Sequence, residues 1–431
     1  MIKIILKQMW NQRRMNGWIF LELVITGFFL WTMLDPVCIL IGNYLIPRGY
    51  ESEKRYMITF DRYEDGHGKY TPTERIDYNG DWEHVVFTLR DLPEVESFTM
   101  GEATSIPGSG GFNGMTMYSD STQYASENYA HCQHYHYFMD HGSDPFKTLG
   151  VRDIRTGDYF KPEIYNNGII ITENLAKTMF GTTDVVGKKI IDGSGAENKI
   201  AGVAYNVKQN DFLQPYPLTI AGHRLQFDWK HLIYIIKLKK EVDPEAFEER
   251  FRNEVVPTLT FNNNYVNQFI SLEEMNDIYN ESSGVYSEMR LKFILAGFAL
   301  LCVFLGMLGT FWVRCQSRSG EIGLMCSIGA KRSNIIRQHL TEAALLVGIS
   351  YLCSMPFILH NAIANGVYTS TLRITDFISP DPQYWQNNLD RHILIVSIVT
   401  LIIMLITSLV GTYIPAHRAA QINPADALRD E

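Results

Sequence analysis

The chain has 431 residues, 46% of them hydrophobic, and a formal net charge of −9. That acidic balance, with no basic stripe interleaved with aromatics, argues against a nucleic-acid partner. Cys38, Cys302, Cys315, Cys326 and Cys353 lie in or beside apolar runs, so Cys132 alone falls in the large polar region, which excludes an internal disulfide there.

Residues 1–16 hold Lys3, Lys7, Arg13 and Arg14 and no acid, with Ile2, Ile5, Leu6, Met9 and Trp10 on one helical face. They read either as a basic amphipathic helix on the inner membrane surface or as a plain positive segment before an anchor. Both readings keep the N-terminus inside. A first span follows at 17–46. Its apolar run is too long for a signal-peptide core, and no A-x-A cleavage pattern follows it. Glu22 and Asp35 stand near the ends of that run, where snorkelling or helix–helix contact explains them.

Residues 47–288 read as one large extracytoplasmic α+β domain of two subdomains. Strands at 55–60 and 95–100 flank a helix near 82–91. Strands at 232–239 and 266–273 flank a helix over Pro244–Val255 that starts at Asp243-Pro244. These matched βαβ halves predict a discontinuous membrane-proximal subdomain (47–104 and 231–288). A β-rich subdomain, 105–230, is inserted into it. Within the insert, the Gly-rich stretch 107–114 reads as a mobile loop near the outer tip. His131, His134, His136 and His141 form a metal-like cluster, but their spacing matches no zinc pattern and fits a solvated strand face. The string Gly181 to Lys189 is not a P-loop: five residues separate its glycines, and Lys189 stands where a magnesium-binding Ser or Thr belongs. No G-x-S-x-G or H-E-x-x-H pattern occurs, so neither catalysis nor a resident cofactor is expected.

Three further apolar runs predict spans at 289–313, 340–360 and 392–415. The loop 314–339 between the second and third carries Arg314, Arg318, Lys331, Arg332 and Arg337, which places it in the cytoplasm. Ile322, Met325 and Ile328, then Ile335 and Ile336, recur at helical spacing about Gly329-Ala330. The loop therefore reads as two short amphipathic helices joined at a tight turn and offered to a partner. The loop 361–391 is poor in basic residues, as an external loop should be, and the tail 416–431 returns to the cytoplasm.

Three stretches carry a resemblance. One is Arg318, Glu321, Ile322, Gly323, Leu324, Met325, Ile328, Gly329, Ala330 and Lys331, with Ile335, Glu342 and Ala343 beyond. A second is the segment 145–207, with Phe160, Ile171, Glu173, Leu175, Ala176, Phe180, Gly181, Gly187, Lys188, Ile190 and Gly202. The third is the ending Pro415 to Ala420 followed by Asn423 to Arg429. Together they resemble the permeases of MacB/FtsX-type ABC transporters. Gly157-Asp158-Tyr159-Phe160 departs from that pattern, lacking the usual arginine after the glycine.

The resemblance implies a permease of the bacterial inner membrane with both termini cytoplasmic. It implies a separate ABC ATPase subunit that holds the ATP, and a second permease copy or paralogue making a dimer. A periplasmic adaptor and an outer-membrane duct are further implied partners. Arg318, Glu321, Ile322, Gly323, Met325, Ile328, Gly329, Ala330 and Arg332 are the implied ATPase-coupling residues. Efflux of drugs, peptides or similar cargo is the implied work. Lipoprotein release, control of a cell-wall hydrolase, and a membrane-anchored receptor or scaffold without an ATPase are the alternatives.

Overall fold

The computed structural model describes residues 13–70, 72, 78–119, 129–223, 232–327, 330–365 and 389–421. Most of the N-terminal amphipathic stretch, Ile328 and Gly329, most of the loop 361–391 and the motif Asn423 to Arg429 lie outside the described residues.

The chain divides into two compact units, one holding the long helices and one spanning Gly42–Val285. The helical unit contains α1 (Arg13–Tyr44), whose last turn belongs to the other unit. The remaining long helices in order of sequence are Val285–Ser317, Arg332–Asn365 and Leu389–Ala419. All four are long and apolar enough to cross a membrane. Their shared core is built by Leu30, Trp31, Val303, Met307, Val347, Tyr351, Val396 and Met404. Their opposite faces carry exposed Ile, Leu and Phe side chains, such as Phe298, Leu352 and Ile406, as lipid-facing surfaces do.

The second unit begins with β1 (Arg55–Arg62), α2 (Tyr78–Arg90) and β2 (Val95–Glu102). It then runs through β3 (Gly114–Tyr118), β4 (Ala130–Phe138), α3 (Pro145–Leu149), β5 (Ile169–Thr172), α4 (Glu173–Phe180), β6 (Lys189–Asp192), β7 (Glu197–Ala204) and β8 (Leu218–His223). It closes with β9 (Leu232–Leu238), α5 (Pro244–Arg250), β10 (Asn264–Ser271) and α6 (Leu272–Ser282). The strands form one sheet in the order β10-β1-β9-β2-β4-β3-β6-β7-β5-β8.

Two regions of this sheet differ in construction. In β10-β1-β9-β2 every neighbouring pair is antiparallel, and β9 lies between β1 and β2. Each βαβ half is therefore split by a strand of the other, so neither half closes a sheet alone. Val85, Val86 and Leu89 of α2 and Phe247 and Phe251 of the second crossover share one core with Phe98, Tyr234 and Ile236. In the other region β4 also pairs with β8, so β4-β3-β6-β7-β5-β8 returns on itself and leaves no free edge among those strands. Ile171, Leu175, Ala176, Ile190 and Val203 fill its interior together with Cys132. Burial pushes the Cys132 thiol up to about 12, which leaves it unreactive at neutral pH.

Three local readings of the sequence are corrected. The strand expected at 266–273 stops at Ser271, because that side chain accepts a hydrogen bond from Glu274 N at 3.1 Å and caps a helix. The Gly-rich stretch 107–114 is not a mobile outer loop. Gln133 is fully buried beside it, its Nε2 donating to the carbonyls of Thr104 and Gly111 and its Oε1 accepting from Asn113 N, and Ile106 is 2% exposed. The histidines do not share one solvated face either. His134 is buried and bonded to Thr219 Oγ1, and among the described residues no group of three or more His, Cys, Asp or Glu side chains converges on a metal position.

The positions in 145–207 that carry the resemblance have packing roles. A Cβ on Gly202 would stand 2.6 Å from Cε1 of Phe160, so the bare backbone admits that ring. Gly181 ends α4 in the left-handed region at φ 69°, and Lys188 lies over the Phe180 ring.

Candidate functional site

The stretch singled out by the sequence falls where the helices α7 (Val285–Ser317), α8 (Ser319–Ser327), α9 (Arg332–Asn365) and α10 (Leu389–Ala419) meet. Its centre is an ion pair that sequence reasoning did not single out. Arg314 Nη1 donates to Glu342 Oε1 at 2.6 Å, and the two side chains are 2% and 4% exposed. The guanidinium also lies over the Phe311 ring, 4.9 Å from its centre. Its Nε and Nη2 are buried and find no hydrogen-bond partner among the described residues. Such a pair repays little of its desolvation, so stability alone does not account for it. It does fasten the end of α7 to the third turn of α9.

Around this pair, Cys315, Ile322, Ile335, Ala419 and Ala420 are buried together, with Met325 and Ile336 partly buried against them. The amphipathic pattern therefore has an internal cause. Ile322, at 1% exposure, turns toward the ends of α7, α9 and α10. The second expected short helix is instead the opening of α9, a helix of 34 residues. The break between the two is real, with Ala330 N bonded to Met325 O at 2.9 Å.

The remaining coupling candidates divide by exposure. Arg318 pairs with Glu321 at 2.8 Å, and the Glu321 side chain is 64% exposed. Leu324, Lys331 and Arg332 are exposed as well. Gly323 lies within α8, while Ile328 and Gly329 lie outside the described residues. A partner would thus meet a charged surface with Leu324 in it, not Ile322 or Ile335.

Elsewhere in the bundle a second buried pair bears out the helix–helix contact expected of Asp35, though the sequence did not name its partner. Asp35 Oδ1 and His392 Nε2 stand 2.6 Å apart, joining α1 to α10, and the side chains are 9% and 3% exposed. Trp31 Nε1, one turn earlier, donates to Ser397 Oγ at 3.2 Å. Asp35 is therefore bonded within the helical unit and does not snorkel. The available signal was a His at the start of one apolar run and an Asp in another. Glu22 also faces a helix: a Cβ on Gly306 would stand 2.7 Å from each of its carboxylate oxygens.

Fold and site together define a multi-pass membrane protein with four spanning helices and one large extracytoplasmic α+β domain. Residues 293–424 match the family described as FtsX-like permease C-terminal. The macrolide export ATP-binding/permease protein MacB of Chromobacterium violaceum is 23% identical over 301 residues, covering 67% of this chain and 42% of that protein. The MacB protein of Escherichia coli is 22% identical over 305 residues, covering 67% and 43%. The chain thus spans less than half the length of these relatives. Among solved structures, the periplasmic region of MacB from Actinobacillus actinomycetemcomitans aligns with a TM-score of 0.32 and 11% identity, over 55% of this chain and 97% of that one. Over residues 293–424 the chain is thus an FtsX-like permease domain, and about two thirds of its length is similar to MacB proteins.

Proposed function

We propose that this permease carries ATP-driven motion across the bacterial inner membrane to its own extracytoplasmic domain. The observation that carries the reading is the Arg314–Glu342 pair, which ties the 314–339 loop to two helices of spanning length. At about 1.5 Å per residue, the 33 residues of α7 make a rod about 50 Å long. That exceeds a hydrocarbon core of about 30 Å, so a push on one end is delivered beyond the lipid. A separate ABC ATPase subunit hydrolyses the ATP, and a second permease copy or paralogue completes the transporter. Glu321, Leu324, Lys331 and Arg332 form the surface the ATPase grips.

The names of the MacB relatives support export as the work done. The cargo class is drugs, peptides or similar molecules collected in the periplasm, and a periplasmic adaptor and outer-membrane duct receive them.

Two measurements test this reading. Tagged chain purified from its native membrane retains an ATPase, and Glu321→Lys with Arg332→Glu lowers that retention at least tenfold while the chain stays folded. Full retention would remove the loop from the coupling surface. For sidedness, Cys132 is buried and cannot report. Ser194→Cys, in an exposed turn, is labelled by an impermeant maleimide in spheroplasts, whereas Lys331→Cys is labelled only after lysis. Equal labelling of both would end the proposal.

A further inference from the structure

The segment between β7 and β8 has no regular structure, yet it is among the most deeply buried parts of its unit. Lys208 is 1% exposed, and Asn210 and Asp211 are 2% and 5% exposed. A buried lysine is costly unless all three of its donors are used. Lys208 Nζ donates to the carbonyls of Asn43 at 2.7 Å, Ile46 at 3.3 Å and Asp211 at 2.6 Å. Asn43 belongs to the last turn of α1. The ammonium thus sits at the C-terminal end of α1, the negative end of its dipole, sharing the Asn43 carbonyl with Ile46 N, which donates to it at 3.0 Å.

The same segment holds the chain just past α1 and also holds α6. Asn43 donates to Phe212 O at 2.9 Å and accepts from Gln214 Nε2 at 2.8 Å. Arg48 grips Asp211 with two bonds, Nε to Oδ1 at 2.7 Å and Nη2 to Oδ2 at 2.8 Å. On the other side, Asn210 Nδ2 donates to Asn280 Oδ1 at 2.7 Å, and Asn276 Nδ2 donates to Tyr50 OH at 3.0 Å. Asn276 and Asn280 lie on α6, which ends at Ser282, and α7 begins at Val285.

We infer that residues 207–214, gathered about Lys208, form a joint that locks the outer end of the first span to the helix leading into the second. The strands then feel the two entering segments as one body. The joint stands on the geometry alone. Its role as the receiving end of transmitted motion rests on the function proposed above. A polar lock suits that role, because directional bonds hold two segments in one relative setting where apolar packing lets them slide.

The test uses the full chain in lipid nanodiscs and amide hydrogen exchange, without an ATPase, so its failure is separable from failure of the transport reading. In Lys208→Met, exchange quickens at least tenfold both at 43–48 and at 276–284, while β1 and β9 exchange as in the wild type. Should Lys208→Met fail to fold, Asp211→Asn, which weakens the grip of Arg48 and Asn280 and the charge support of Lys208 but keeps the backbone carbonyl that Lys208 bonds, gives a smaller quickening of the same two segments. Quickening confined to 207–214 in either variant would overturn the joint.

A second readout is the pH profile. Burial lowers Lys208 to about 8, against the opposing pull of Asp211, while Arg48 pushes the same way as burial. Tyr50, raised by burial, stays protonated in the closed joint and loses its proton in the open one only from about pH 10. When the joint opens, Lys208 regains its ordinary affinity for a proton. Between pH 8 and about 10 the open form therefore holds more protons, and the closed form gains with rising pH by up to tenfold per unit. After correction for hydroxide catalysis, protection at 43–48 and 276–284 rises together above pH 8, and Lys208→Met removes both slopes. Slopes that differ between the two segments, or that survive in Lys208→Met, would overturn the joint.

Discussion

Glu342→Leu destabilises the helical unit by about 3–5 kcal/mol, the usual cost of leaving one buried charge without its partner. The size of the effect follows from the burial of both groups, at 2% and 4% side-chain exposure, and from the two Arg314 nitrogens that find no hydrogen-bond partner among the described residues. Arg314→Met alone costs a similar amount, for the mirrored reason. The double variant Arg314→Met/Glu342→Leu recovers most of the loss, since an apolar pair of similar volume replaces two desolvated ions. Unfolding of the purified chain in mixed micelles, followed by circular dichroism as SDS is titrated in, measures all three. A double variant as unstable as the singles would show that the pair is held by more than mutual charge. The function proposed here adds a second expectation: the double variant is stable but transmits poorly, because the loop is no longer fastened to α9 by a directional bond.

Gly49→Ala has the second large effect. Gly49 has φ 72°, and a Cβ there would fall 1.8 Å from the Asn206 carbonyl oxygen and 2.8 Å from its carbon. Both are backbone atoms beside the Lys208 segment, so no side chain can rotate away. The left-handed backbone costs a non-glycine residue about 1–2 kcal/mol. Forcing apart a packed contact adds about 1–3 kcal/mol. Gly157→Ala is the internal control. Its φ is 74°, but nothing lies within 4 Å of the added Cβ, so it pays the backbone cost alone. Thermal unfolding of the full chain in detergent separates the two, and equal destabilisation would show that the close approach to Asn206 is not what demands glycine.

Much of the fold was legible because it rests on local periodicity. The four spans are runs of apolar residues, and in lipid a helix must satisfy its own backbone, so a run of that length has one outcome. The strands of both βαβ halves are β-branched and aromatic, and Asp243-Pro244 opens its helix as its chemistry requires, with Asp243 accepting from Glu245 N. The coupling stretch was legible as a helical pattern, yet its meaning was not. A stripe such as Ile322 and Ile335 has the same spacing whether it faces a partner or the chain's own helices. Only the packing against Cys315, Ala419 and Ala420 decides between them.

By itself, then, the sequence determined how often the chain crosses the membrane, where the large domain is interposed, and which loop is basic. Each of these is a property of contiguous residues. The tertiary structure decided which polar groups meet. Asp35 and His392 are 357 positions apart, Lys208 and Asn43 are 165 apart, and Arg314 and Glu342 are 28 apart. No periodicity links such positions. Each group, read alone, is an exposed polar residue or an expensive buried one, and its role is set by the partner that the folded chain brings to it.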